Sequence, residues 1–175
     1  LAVGNTDWTE TGRKNLENLS DTFSCEILQL NLNKNAARII AKKSFEDMGQ
    51  PTWYMDSLIY AYPYNMAMKL GLKLLVYGEN ITYAYGGKFK TETPSAMLQP
   101  FNDVVKTYPD EWLGVSGLSE KDLQSTIPPS VEDCKKSDLE PIYLSYFVPW
   151  DSHHNYQVAK RWGFKHLSHE YIREG

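Results

Sequence analysis

From Met55 to Leu70 the chain is apolar almost all the way round a helix, with only Asp56, Asn65 and Lys69 interrupting it strongly. Such a helix cannot lie on a surface; neighbouring elements must enclose it. Whatever this chain folds into is therefore built round that segment. Pro63 within it removes a backbone donor and crowds the preceding turn, which predicts a kink or a division there. Leu72-Lys73-Leu74-Leu75-Val76-Tyr77 follows and stops at Gly78. A short β-rich run of this kind reads as a strand buried on both faces.

The flanking segments continue the alternation. Leu1-Ala2-Val3-Gly4 reads as the end of a buried strand, followed by the polar turn Asn5–Trp8. Thr9 or Thr11 offers a cap to a helix running to about residue 22, with Leu16, Leu19 and Phe23 as its buried stripe. Residues 25–32 alternate, with Leu28, Leu30 and Leu32 on one side, as a strand does. Asn33 caps the next helix, in which Ala37, Ile40, Ala41, Phe45 and Met48 recur at three and four, and Gly49 closes it. Pro141–Phe147 reads as a strand. Asp151 caps a helix to Trp162, which Gly163 stops. This rhythm predicts an α/β fold in which residues 1–4, 25–32, 72–77 and 142–147 share one mainly parallel sheet with helices on its faces.

Between Glu79 and Pro141 the punctuation changes. Gly86-Gly87, Pro94, Pro100, Pro109 and Pro128-Pro129 limit helices to short pieces, expected at 94–108 and 119–125. The organisation expected is a core of residues 1–80, an excursion over 81–140 that serves as a lid or faces a substrate, and a C-terminal strand and helix over 141–175. Neither end carries a natural start or stop, so both read as cuts inside a longer protein.

Net charge is −4 with no run of one sign, which offers no track for a nucleic-acid backbone. No apolar run reaches membrane-spanning length and no leader opens the chain, so a cytoplasmic location is expected. Cys25 and Cys134 stand apart with no metal-ligand spacing and read as free thiols. His153-His154 and His166-x-x-His169 match no ligand frame, and no metal is assigned to them.

In parallel sheets ligand chemistry gathers at the carboxyl ends of strands, where loops meet helix starts. Gly4–Gly12, Gly78-Glu79-Asn80 and Pro149-Trp150-Asp151 occupy such ends. Gly78 would let a ligand approach the backbone, with Glu79 as acceptor and Asn80 as donor and acceptor. On these three residues alone the ordinary reading is a strand-to-loop turn with a surface carboxylate. Tyr85, in Tyr83-Ala84-Tyr85-Gly86-Gly87, belongs to an aromatic loop or a solvent-facing hairpin. Trp53 and Asp56 stand at a helix start, where Trp53 could stack on a ring and Asp56 hold a hydroxyl; Asp56 would also simply favour the positive helix end. The chain has no GxGxxG, no Walker A segment, no GxSxG and no HExxH.

Taken in order, these segments resemble one family. Thr9-Glu10-x-Gly12-x-x-Asn15-Leu16-x-Asn18-Leu19, Gly49-Gln50-Pro51-x-Trp53-x-x-Asp56, Val76-Tyr77-Gly78-Glu79-Asn80 with Tyr85-Gly86-Gly87, and Tyr146-Phe147-x-Pro149-Trp150-Asp151 with Asn155-Tyr156, Gly163-Phe164 and Arg173-Glu174-Gly175 are similar to motifs of the N-acetyl sugar amidotransferases. The likeness is weakest between about 95 and 138. It implies an ATP pyrophosphatase of the PP-loop superfamily, with a Rossmann-like, adenine nucleotide alpha hydrolase-like parallel sheet.

The implied reaction adenylates the acetamido oxygen of a nucleotide-linked N-acetyl sugar. Ammonia from a separate glutaminase subunit then displaces AMP and leaves an acetamidino group, for bacterial lipopolysaccharide or flagellin glycans. The family's Ser-Gly-Gly-x-Asp-Ser loop and first strand would lie upstream of Leu1. ATP and Mg²⁺ are thus expected with the whole protein and not bound to this chain alone. The missing strand would leave part of the sheet uncovered, for a second copy to cover as a homo-oligomer. By resemblance and topology, Gly78, Glu79 and Asn80 face the nucleotide, and Trp53, Asp56, Tyr85, Trp150 and Asp151 face the sugar. Glu79 and Asp151 are the catalytic candidates. The other classes left open are a non-catalytic binding or scaffold domain and another PP-loop enzyme acting on RNA or a small molecule.

Overall fold

The computed structural model describes residues 2–4, 9–79, 93–98, 100 and 107–167. Two compact units divide the chain, one of residues 1–31 with 150–175 and one of residues 32–149.

In the first unit, strand β1 (Ala2–Gly4) pairs parallel with β2 (Gln29–Asn31), Ala2 opposite Gln29 and Gly4 opposite Asn31. Helix α1 (Glu10–Phe23) connects them. Of the two threonines offered as caps, Thr9 serves: its hydroxyl accepts from the Gly12 N–H at 3.0 Å. The strand expected over 25–32 is found only at Gln29–Asn31, the residues paired with β1. The expected stripe of α1 is also corrected, since Leu19 and Phe23 are about half exposed and only Leu16 of the three is partly covered. Phe23 instead meets the ring of Trp162, centroids 5.2 Å apart.

The second unit is built round the apolar segment. Helix α2 (Lys34–Met48) starts at Asn33, whose side chain accepts from the Asn35 and Ala36 amides. It ends at Gly49, where φ of 68° favours a residue without Cβ. Its buried line is Ala36, Ile40 and Ser44, and Phe45 of the expected stripe is 62% exposed. The covered face is thus turned from the one that the largest side chain suggested. Helix α3 (Trp53–Lys69) is one unbroken helix through Pro63, and no residue from Trp53 to Met68 is exposed. An interior proline costs about 3 kcal/mol. Each buried large apolar side chain returns about 1.5–3 kcal/mol, so the enclosure of Trp53, Tyr54, Leu58, Tyr60 and Tyr64 outweighs it.

Strand β3 (Leu74–Tyr77) pairs parallel with β4 (Glu140–Tyr143), Leu74 opposite Glu140 and Tyr77 opposite Tyr143. Burial of β3 on both faces is not found: Leu74 and Val76 are 55% and 46% exposed, while Tyr77 is buried. Residues 144–147, expected in the strand, form the helical turn α6 (Leu144–Phe147) instead. β3 ends at Tyr77, so beyond Tyr143 the chain has no ladder partner there and closes its own Val148-to-Leu144 hydrogen bond. Pro94 opens no helix in its described part; Ser95 bridges Ile142 antiparallel on the other side of β4. The expected piece near 119–125 is present as α4 (Glu120–Gln124), which a reciprocal Ser119–Asp122 capping box starts. Helix α5 (Val131–Lys136) is capped by Ser130.

The stretch between 107 and 140 also furnishes core, since Trp112, Leu123, Cys134 and Leu139 are buried. The crossover rhythm yields parallel pairing, but as two two-stranded ladders, one in each unit, and not as one shared sheet among the described residues. No helix among the described residues is long and apolar enough to cross a membrane.

Candidate functional site

Because β3 and β4 are parallel and in register at Tyr77 and Tyr143, the segments that follow them leave from one edge. Gly78-Glu79 and Leu144-Ser145 lie there, the position at which open α/β sheets hold ligands. Asn80 and Tyr85, both predicted to face a ligand, lie outside the described residues.

Beneath this edge are three tyrosines. Tyr77 packs against Tyr64 of α3 and Tyr143 of β4, with ring centroids 6.0 and 6.2 Å apart. Ala67, Ala96, Cys134 and Leu139 complete the buried cluster. Burial, together with the Tyr64 phenol and the Glu79 carboxylate, holds Tyr77 far above the ordinary tyrosine range. Tyr77 therefore stays a neutral hydroxyl at any physiological pH.

Trp53 and Asp56 stand at the far end of α3. The residue of α3 that meets the end of β3 is Tyr64, eight residues after Asp56, or about 12 Å along a helix axis. Trp53 is 1% exposed, with its ring edge-on to Trp112 and Tyr108 at 5.2 and 6.4 Å. Asp56 accepts from the Thr52 hydroxyl at 2.8 Å and the Gln50 amide at 3.4 Å, which ties its carboxylate to the residues just before the helix. Trp112 in turn donates its indole N–H to Asp47 at 2.8 Å. That bond and the neighbouring Lys43 hold the Asp47 carboxyl below the usual range.

Trp150 and Asp151 belong to the other unit. Asp151 caps helix α7 (Ser152–Arg161) by accepting from the His154 N–H at 2.9 Å. This bond, helped by the His153 amide, keeps its carboxyl below the ordinary carboxylate range. Trp150 is exposed and donates to the Ser152 hydroxyl at 3.1 Å. In the same unit a cavity of about 440 Å³ opens between α1 and β2, lined by Leu16, Glu17, Ser20, Asp21, Ile27 and Gln29. It contains none of the predicted site residues.

Two motifs 150 residues apart in sequence meet within that unit. The Asn15 amide donates to the Lys165 carbonyl at 2.8 Å and accepts from the Lys165 N–H at 2.9 Å. Asn18 donates to the Trp162 carbonyl at 2.7 Å. Gly163 has φ of 91°, and a Cβ there would come within 2.9 Å of the Asn18 side chain. Asn15, Asn18 and Gly163 thus answer to one another. Spacing alone offered no signal for this clamp, nor for Tyr64, which reads in sequence as one aromatic among several on a buried helix.

Among the described residues no triphosphate site is built. Glu79, two residues beyond the end of β3, carries a carboxylate, which repels phosphate. No three acid, thiol or imidazole groups converge as metal ligands among the described residues. The sequence holds no glycine-rich phosphate loop. No protein-family model matches the chain, and no curated protein is significantly similar to it.

Proposed function

We propose that this chain is the sugar-facing part of an ATP-dependent amidotransferase, which converts an acetamido group of a nucleotide-activated sugar to an acetamidino group. The observation that carries the reading is the parallel β3–β4 pair, because it sets Gly78-Glu79 at a strand-end edge within a motif order resembling that family. Glu79 accepts hydrogen bonds from the hydroxyls or the amide N–H of the acceptor. The partners are the nucleotide-linked N-acetyl sugar and a glutaminase that supplies ammonia. Trp53, enclosed by Trp112 and Tyr108, supports the start of α3, where Asp56 sits.

A non-catalytic domain that binds the same sugar nucleotide is the second reading. Titration calorimetry with UDP-N-acetylglucosamine, and separately with ATP, tests both. Binding of the sugar nucleotide, weakened about 10- to 100-fold by Glu79→Ala as for a lost charged hydrogen bond, supports the shared site. Amidine formation by the chain with ATP, ammonia and the sugar nucleotide would decide for the enzyme. Micromolar binding of ATP by this chain with no affinity for the sugar nucleotide would sink both readings.

A further inference from the structure

Beyond the end of β3 at Tyr77 the chain continues, and at Pro94–Ala96 it lies along the other side of β4. There Ala96 N–H donates to the Pro141 carbonyl and Tyr143 N–H to the Pro94 carbonyl, both at 2.8 Å. One side chain touches both the point of departure and the point of return. The Tyr64 ring packs on that of Tyr77, the last residue of β3, and its hydroxyl donates to the Ala96 carbonyl. Tyr64 and Ala96 are each 1% exposed and Tyr77 7%.

A phenylalanine would fill the same volume. The hydroxyl supplies a partner for a buried carbonyl, which would be costly to leave unpaired. Tyr77 in turn is two residues from Glu79 and close enough to feel its charge.

We propose that Tyr64 is a positioning residue for Glu79, pinning the end of β3 through the Tyr77 ring and the returning segment through the Ala96 carbonyl, so that the strand-end carboxylate is presented in one place. This rests on the reading of Glu79 as a contact to a nucleotide sugar. An unanchored edge would leave Glu79 to sample many positions, and binding would then include the cost of ordering it.

Tyr64→Phe in the 175-residue chain tests the proposal by amide hydrogen exchange and by calorimetry with UDP-N-acetylglucosamine as probe. Exchange at Gly78, Glu79, Ala96 and Met97 should rise about fivefold, the factor for one hydrogen bond of ordinary net strength, while amides of α1 and β2 keep their rates. Tyr77→Phe, which keeps the Tyr64 hydroxyl and the Ala96 carbonyl, should leave exchange at Ala96 and Met97 unchanged. Unchanged exchange in Tyr64→Phe, or equal acceleration by Tyr77→Phe, overturns the anchor.

For the probe, Tyr64→Phe should raise the dissociation constant about fivefold in the parent chain and not at all in a Glu79→Gln background. An equal loss in both backgrounds means Tyr64 acts only on the fold, and the proposal falls. If the probe does not bind, or Glu79→Gln leaves its affinity unchanged, the sugar-site reading fails and with it Tyr64 as positioning residue for that site, while the exchange rates still report separately on the anchor.

Discussion

The two units of this chain are held together by different physics. Residues 32–149 enclose Trp53, Trp112, Tyr60, Tyr64, Ile40, Leu58 and Leu123, each almost wholly removed from water. Residues 1–31 with 150–175 have no large side chain so covered among the described residues. Leu19, Phe23, Trp162 and Phe164 are 41–53% exposed there. That unit is joined instead by the Asn15 and Asn18 amides to the turn after α7, through hydrogen bonds that water can reach. Burial scales with area and is hard to lose piecemeal, whereas an exposed hydrogen bond contributes only about 0.5–1.5 kcal/mol net. The lesson is that residues 32–149 should set the global stability, and the Asn clamp should open locally first.

The largest expected effect breaks the core. Trp112→Ala removes the partner of Trp53 and the indole donor to Asp47, and should destabilise the chain by about 3–5 kcal/mol in urea unfolding. A loss below about 1 kcal/mol would mean the aromatic cluster is not the centre of stability. A smaller effect is expected from Asn15→Ala with Asn18→Ala. Three side chain–backbone bonds are lost, for about 2–4 kcal/mol summed at ordinary strength. Most of that should show as faster exchange and proteolysis near residues 162–167, with the unfolding midpoint of the core little moved. A matching fall in the midpoint would erase the contrast between the units.

The smallest effect is a pH dependence. Asp151 has a depressed carboxyl in the folded chain, so its stabilisation of α7 is present above the unfolded carboxylate value of about 3.9 and is lost as pH falls through the lower folded value. Fraying of α7 followed by exchange should therefore begin below about pH 4. In Asp151→Asn that acid dependence should vanish, and its persistence would assign the effect to another group.

Much of the local structure was legible in the residues themselves. Thr9, Asn33, Ser119 and Asp151 cap helices because a short polar side chain next to free amides needs no distant help, and Gly49 and Gly163 stop helices for an equally local reason. The burial of α3 followed from a segment with no polar side to turn outward. The parallel sense of both ladders followed from helices lying between strands. Of the candidate site, Glu79 is found at a strand end as its place after Tyr77-Gly78 suggested, while Asn80 and Tyr85 fall outside the described residues.

What the sequence by itself determined, then, is most of the helix caps and stops, which helix must be enclosed, and that strands pair in parallel, since each depends on neighbours within a few residues or on one segment's polarity. Only the tertiary structure decided which strand meets which, why Phe45, Leu74 and Val76 remain exposed, and that Tyr64 meets Ala96 and Asn15 meets Lys165. Those outcomes depend on the register between segments far apart in the chain. The period of apolar residues marks a face as fit for burial, but another segment must arrive to cover it.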